Sequence, residues 1–176
     1  LRREAELPPG RVLVPGCGSG YDAFALADAG WAVTGLDISP TAAARFRALR
    51  DEHGLSPERA EIHIGDFFTF QPGAPFDLGW DYTFLCAIDP DRRQEWADKM
   101  HGLIRPGGML CTLLFPVDSD DTSESTREDS GPPYRLHPEW VERLLQGRFV
   151  LQELERVTRS HPGRGGMEWL ARWRRA

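Results

Sequence analysis

Residues 11–22 read RVLVPGCGSGYD, and their pattern indicates the fold class. The apolar run Val12–Val14 predicts a buried parallel strand. Three glycines at alternate positions then let the chain turn sharply, and a helical pattern begins at Tyr21. A strand, a glycine turn and a helix in this order are typical of a doubly wound α/β fold, in which the turn approaches a nucleotide-like cofactor.

The strand that follows is predicted over Ala32–Leu36 and ends on Asp37. An acidic residue about 20 positions after the glycine turn is placed to accept hydrogen bonds from ribose hydroxyls. The glycines alone are compatible with an ordinary turn, but the two features together favour a cofactor site. Two cofactors remain open, because Gly18–Ala23 fits the dinucleotide fingerprint G-x-G-x-x-A and Gly16–Gly20 fits the G-x-G-x-G loop of S-adenosylmethionine (SAM) methyltransferases.

Five stretches of the chain resemble successive motifs of the thiopurine S-methyltransferase-like superfamily. They are VPGCGSGYD (14–22), GLDIS (35–39), GDFF (65–68), DYTFLCAI (81–88) and GPPY (131–134). The halide and thiol methyltransferases are the branch that they resemble most, and Pro15, where most SAM enzymes carry an acid, belongs to that pattern. The resemblance runs from about Arg11 to about Trp173. It implies a class I, Rossmann-like, SAM-dependent methyltransferase acting on a small sulfur nucleophile or halide: a thiol, thiocyanate, a halide or a thiopurine.

The same resemblance implies which residues bind SAM at the carboxyl ends of the strands, where ligands lie in an open parallel sheet. Asp37 would hold the ribose, Asp66 would accept a hydrogen bond from the adenine amino group, and Phe67 would cover the adenine ring. The other expected cofactor residues are Gly16, Cys17, Gly18, Gly20, Ile38, Asp81 and Tyr82.

Methyl transfer is an in-line displacement, so the protein must align the acceptor and exclude water. An anionic acceptor loses charge as it meets the sulfonium, and a dry aromatic pocket therefore suits the reaction. The candidate lining is Trp80, Tyr82, Phe84, Phe115 and Tyr134. Phe84 and Phe115 have an alternative role as core residues.

Two residues are candidates for the chemistry itself. A hydroxyl or amine acceptor would need a general base, and Asp81 is the best-placed carboxylate for it. Its alternative role is a polar residue that closes a strand. Tyr134 matches a family position near the substrate, with the alternative of a loop aromatic that packs on the sheet.

Composition narrows the function classes. The chain has 176 residues, which predicts one domain over 1–176, and its net charge of -6 argues against nucleic acid as a partner. No apolar run approaches the length of a membrane span. The expected partner is a small-molecule nucleophile and the expected state a monomer. Three widely spaced cysteines predict a reduced, cytoplasmic setting, and five histidines without ligand spacing predict no metal site.

The rest of the chain predicts β/α units followed by a hairpin. Ser39 and Pro40 begin a helix as its N-cap and first residue. A later helix is expected to stop at 106–108, before a buried strand over Met109–Phe115. Two final strands, Phe149–Val157 and Met167–Trp173, would form an antiparallel pair. The prediction is a mostly parallel sheet with a C-terminal antiparallel hairpin, without room for the further substrate domain of a nicotinamide oxidoreductase.

Two segments bear on the alternatives. Residues 118–130 hold six acids against one arginine and no large apolar residue, which predicts a mobile surface loop. Family members carry a Trp-containing segment ahead of the first strand that closes over SAM, and we expect this cover to be missing from a chain that starts at Leu1. A SAM-binding domain without turnover is therefore the second alternative, beside the oxidoreductase.

Overall fold

The computed structural model describes residues 7–117 and 131–176. The predicted acidic loop, 118–130, lies outside the described residues. Within them the elements run in the order β1 (Arg11–Pro15), α1 (Tyr21–Asp28), β2 (Ala32–Asp37), α2 (Pro40–Glu52), β3 (Ala60–Ile64), β4 (Phe76–Tyr82), α3 (Arg93–Leu103), β5 (Ile104–Leu114), α4 (Pro138–Leu145), β6 (Phe149–Arg156) and β7 (Trp169–Arg175). Two one-turn 3-10 helices, Leu85–Ala87 and Pro90–Arg92, separate β4 from α3.

The seven strands of the described chain hydrogen-bond in the order β3-β2-β1-β4-β5-β7-β6. β2 is parallel to β1 and β3, β1 is parallel to β4, and β7 is antiparallel to both β5 and β6. The predicted doubly wound α/β fold with a C-terminal antiparallel hairpin is therefore confirmed. The chain divides between Trp80 and Asp81 into two compact units, which are described separately below.

The first unit is built on β1 and its two neighbours. Residues Val12–Val14 are buried, as predicted for a strand covered on both faces. Four apolar residues of α1, at positions 23, 24, 26 and 27, are buried, and α1 packs beside β2. The Ser39 hydroxyl accepts a hydrogen bond from Ala42 N at 3.2 Å with Pro40 at the first helical position, which confirms the predicted start of α2.

In the second unit, α3 buries Trp96, Met100 and Leu103 and packs on β5 and α4. The predicted end of this helix at 106–108 is wrong, because α3 ends at Leu103 and β5 begins at the next residue. Tertiary contacts explain the difference: side chains of β7 donate to backbone carbonyls of this segment, Arg174 to Gly107 at 3.0 Å and Arg175 to Ile104. The segment is therefore held as the first part of β5, although it contains proline and two glycines and Gly107 has a φ of 71°.

Candidate functional site

The glycine turn after β1 holds a conformation that only glycine adopts freely. Gly16, Gly18 and Gly20 have φ values of 60°, 53° and 92°. A Cβ on Gly20 would lie 2.4 Å from the Phe46 ring, whereas a Cβ on Gly18 would meet nothing within 4 Å. Gly20 is therefore required by packing as well as by backbone conformation, and the space beside Gly18 is open to a ligand.

Asp37 lies against this turn. Its Oδ2 accepts a hydrogen bond from Gly18 N at 2.8 Å, and its Oδ1 accepts one from Ser39 N at 2.9 Å. The parallel pairing of β1 with β2 explains the contact, since Pro15 pairs with Leu36 and both strands end at the same edge. A carboxylate offers about four acceptor positions, so Asp37 can hold the loop and still accept from a ligand hydroxyl.

The thiol of Cys17 is neutral. Burial, together with the negative charge of Asp37, raises the pKa of Cys17 to about 12. The backbone N–H of Cys17 donates to Leu36 O at 3.3 Å. Cys17 therefore contributes backbone and shape to the loop rather than a thiolate nucleophile.

The turn after β3 adjoins the end of β2, because Gly65 N donates to Asp37 O at 3.0 Å. The Asp66 carboxylate accepts from Phe68 N at 2.7 Å and so shapes this turn. Phe67 is only 5 % exposed and packs edge-on against the Phe68 ring, with centroids 5.2 Å apart. Only a small part of the Phe67 ring is therefore available to a ligand.

An adenosyl ligand fits the chemistry at this edge of the first unit. The open space beside Gly18 admits it, and the Asp37 carboxylate supplies acceptors for hydroxyls. Tyr21 and Ile38, on either side of these groups in the sequence, are 68 % and 74 % exposed. Large apolar side chains this exposed beside a polar cradle are typical of a surface that a ligand covers.

Asp81, the first residue of the second unit, is enclosed. Its side chain is 1 % exposed and accepts three hydrogen bonds: Phe84 N at 3.1 Å, Leu85 N at 2.9 Å and Trp96 Nε1 at 3.0 Å. Burial raises its pKa to about 6, while the three donors act in the opposite direction. These contacts favour the alternative in which Asp81 closes β4.

The turn that Asp81 holds is strained. Thr83 has φ of 61°, a left-handed conformation that costs a β-branched residue about 1–3 kcal/mol. The Thr83 carbonyl accepts from Cys86 Sγ at 3.2 Å. Strain of this kind persists only where the surrounding structure imposes it, and it is concentrated at functional sites. The turn after β4, together with the part-exposed Tyr82 at the end of β4, is therefore a candidate functional element.

Tyr134 is attached to the same one-turn helix as Asp81. Its backbone N–H donates to Cys86 O at 2.7 Å, next to the Leu85 N–H that Asp81 accepts. The two candidate catalytic residues, Asp81 and Tyr134, therefore both hydrogen-bond to the one-turn helix Leu85–Ala87. Burial raises the pKa of the Cys86 thiol to about 12, and Asp81 adds to the rise, so Cys86 is uncharged.

Sequence reasoning missed Arg93, which is 1 % exposed at the start of α3. Its guanidinium carbon lies 4.7 Å from the Trp140 ring centroid and 5.8 Å from that of Tyr134. A signal existed, because positions 93, 96, 97 and 100 share one face of a helix and the last three are buried. The burial lowers the pKa of Arg93.

The candidate aromatic lining divides between the units. Trp80 belongs to the first unit and is half-buried. In the second, Phe84 and Phe115 are partly buried rather than fully in the core, and the Arg164 guanidinium lies 4.4 Å from the Phe115 ring centroid. Arg164 also pairs with the buried carboxylate of Glu168 at 3.5 Å.

The family model described as thiopurine S-methyltransferase (TPMT) matches residues 1–174. The chain belongs to this family. It is 40 % identical over 182 residues to "Probable thiol methyltransferase 2" of Arabidopsis thaliana, covering 100 % of the chain and 74 % of that protein. It is 38 % identical to "Thiocyanate methyltransferase 1" of the same organism, covering 97 % of the chain and 72 % of that protein.

The fold comparison agrees with this membership. The N-methyltransferase NodS of Bradyrhizobium japonicum, solved with S-adenosylhomocysteine, has a TM-score of 0.76 at 20 % identity, covering 97 % of this chain and 80 % of NodS. Membership of the thiopurine S-methyltransferase family decides between the two cofactors that the glycine loop left open. The protein is a SAM-dependent methyltransferase.

Two further findings concern the described part of this family member. Within residues 7–117 and 131–176, no helix has both the length and the apolar character needed to cross a membrane. In the same residues, no group of three or more His, Cys, Asp or Glu side chains is arranged to hold a metal ion.

Proposed function

We propose that this protein transfers the methyl group of SAM to a small sulfur nucleophile or a halide, with a thiol, thiocyanate, a halide or a thiopurine as the acceptor. The hydrogen bond between Gly18 N and Asp37 Oδ2 carries the cofactor half of the proposal, because it joins the open loop to the acid that accepts from ribose. The names of the relatives, thiol and thiocyanate methyltransferases, support the acceptor half.

We further propose the following roles in the first unit. SAM supplies an activated methyl group on a sulfonium. The backbone of Gly16, Cys17, Gly18 and Gly20 forms the wall against which the cofactor lies, and Asp37 binds the ribose. Ile38 packs on the adenine, Asp66 accepts from its amino group, and the exposed edge of Phe67 contacts it.

In the second unit we propose that Tyr134 contacts the acceptor and that Tyr82 contributes to the cofactor site. Asp81, the candidate general base, has both carboxylate oxygens engaged by donors of its own unit. These contacts support a positioning role, in which Asp81 sets the turn that presents Tyr82. Anionic acceptors need no general base, so the reaction does not require the Asp81 carboxylate to take a proton.

The domain organisation, the oligomeric state and the cellular compartment are proposals as well. We infer that residues 1–176 act as a single methyltransferase domain and as a monomer in the cytoplasm. The three free thiols, Cys17, Cys86 and Cys111, support a reducing compartment.

A methyl-transfer assay tests the function. The protein is incubated with SAM carrying a labelled methyl group and with thiocyanate, iodide, an aliphatic thiol or a thiopurine, and volatile or extractable methylated product is counted. We expect turnover with at least one of these acceptors and loss of turnover in Asp37→Ala. Binding of SAM without methylation of any acceptor would instead establish a binding domain without turnover.

A further inference from the structure

The buried guanidinium of Arg93 has only one hydrogen bond to the residues that the structure describes. Its Nη2 donates to Arg135 O over a long 3.4 Å. Its Nε and Nη1 are buried and have no hydrogen-bond partner among the residues that the structure describes. Most buried polar groups in proteins are hydrogen-bonded, and a buried charge without a partner is costly, so these two N–H groups require an explanation.

In residues 81–117 and 131–176, the part of this unit that the structure describes, no acidic group supplies that partner. The Asp81 carboxylate is taken up by its own three donors, and the Cys86 thiol is uncharged. Asp89 acts on Arg93 through its charge but accepts its hydrogen bond from Asp91 N at 2.9 Å. Arginine stays protonated at neutral pH, so the site holds a positive charge with two donors that no described residue uses.

The surroundings of these donors are aromatic. The Trp140 and Tyr134 rings lie 4.7 Å and 5.8 Å from the guanidinium carbon. An anion that binds here must lose its water, and strongly hydrated anions lose it at a greater cost. Guanidinium is itself weakly hydrated. The site therefore favours large, poorly hydrated monovalent anions over chloride.

We propose that Arg93 is the receptor for the anionic acceptor, and that its Nε and Nη1 groups bind poorly hydrated anions such as thiocyanate, iodide or a thiolate beside Tyr134. This inference rests on the proposed function for the fate of the bound anion. Neither N–H group is exposed, so binding requires the Tyr134 or Trp140 ring to move aside. Tyr134 lies on the segment that the Cys86 carbonyl anchors, which places the receptor next to the strained turn after β4.

The first test measures anion binding without SAM. Iodide quenches tryptophan fluorescence, and iodide bound at Arg93 would lie beside the Trp140 ring. We expect a saturable component of quenching in the wild-type protein, its loss in Trp140→Phe, and its reversal by thiocyanate at lower concentration than by chloride. Linear quenching in the wild-type protein, or a saturable component that persists in Trp140→Phe, would overturn the proposal.

The second test uses matched arginine variants. Arg93→Met keeps most of the side-chain length without the charge, Arg93→Lys keeps the charge without the planar donors, and Arg92→Met alters the adjacent exposed arginine, which pairs with Glu95 at 2.9 Å. In Arg93→Met we expect the half-saturating thiocyanate concentration in methyl transfer to rise roughly 10- to 100-fold, the range for losing a hydrogen bond to a charged group. For Arg93→Lys we expect a half-saturating thiocyanate concentration between those of the wild type and Arg93→Met. For Arg92→Met we expect the wild-type value.

SAM affinity and thermal melting of each variant distinguish a receptor from a packing residue. A residue that only packs would lower the melting temperature and leave the half-saturating thiocyanate concentration unchanged, and that result overturns the proposal. If Arg93→Met does not fold, the proposal is tested by the half-saturating thiocyanate concentration of Arg93→Lys and by iodide quenching of the wild-type protein. Absence of any methylated product from the wild-type protein would contradict the proposed function, whereas saturable iodide binding at Trp140 would still establish the anion site.

Discussion

Replacing Asp81 by asparagine tests how deeply its carboxylate is desolvated. The substitution keeps the shape of the side chain and removes its titration. Asparagine can still accept from Phe84 N and Leu85 N, but it turns an amide N–H₂ toward Trp96 Nε1, which needs an acceptor. Leaving that buried donor unpaired costs about 1–3 kcal/mol at every pH.

The pH dependence carries the sharper prediction. Burial raises the pKa of Asp81 from 3.8 to about 6, and at roughly 1.4 kcal/mol per pKa step this rise is worth about 3 kcal/mol. A carboxyl whose folded pKa is raised binds its proton more tightly when folded. Its contribution is therefore fully present below pH 3.8 and is lost as the pH rises through 6.

The assay is urea denaturation of both proteins from pH 4 to pH 7. We expect the difference in unfolding free energy, wild type minus Asp81→Asn, to fall by about 2–3 kcal/mol across this range, because the asparagine protein lacks the titration. Asp28→Asn, at an exposed site of α1, is measured alongside as the control for the substitution itself. A difference for Asp81→Asn that does not change with pH would contradict this prediction, since the carboxylate would then be as well solvated in the folded protein as in the unfolded one.

Three other predictions follow from contacts in the two units. Asp37→Ala should weaken S-adenosylhomocysteine binding by about 1.5–3 kcal/mol in calorimetry, with Asp28→Ala unchanged; equal affinity in both would remove Asp37 from the cofactor site. Gly20→Ala should cost about 2–4 kcal/mol in chemical denaturation because it combines a left-handed backbone with a clash, whereas Gly54→Ala, also left-handed but in open space, should cost about 1 kcal/mol; equal losses would contradict the clash. Because the Asp81 carboxylate is enclosed, Asp81→Asn should change transfer to thiocyanate and to a thiol by the same factor, and a selective 10²–10⁴-fold loss for the thiol would establish a general base.

Much of the first unit could be predicted from the sequence because the interactions that form it are local or depend on strand register. The buried run Val12–Val14 predicts β1, and the glycines after it predict the turn. Once β1 and β2 are parallel and in register, their ends coincide, which places Asp37 within 2.8 Å of Gly18 N. The hairpin of β6 and β7 followed from a short connection between two strand patterns, since a short return permits only antiparallel pairing.

The start of β5 could not be predicted in this way. Pro106 and the two glycines after it read as a helix stop followed by a loop, because propensity describes only the local chain. In the folded protein the arginines of β7 bind carbonyls of this segment from about 70 positions away in the sequence. The start of β5 at Ile104 is therefore a consequence of tertiary contacts.

Residue types and their spacing were enough to predict the order of strands and helices, the glycine loop with its acid and, through the motifs, the methyltransferase family. The surroundings of the charges in the second unit depend instead on tertiary packing. Asp81 became a capped, enclosed carboxylate because Trp96 comes back to it from the face of α3, 15 positions later. Arg93 became a buried cation because the Tyr134 and Trp140 rings, distant in sequence, close over it. Residue type and spacing do not specify these environments, because desolvation depends on which side chains the fold brings together.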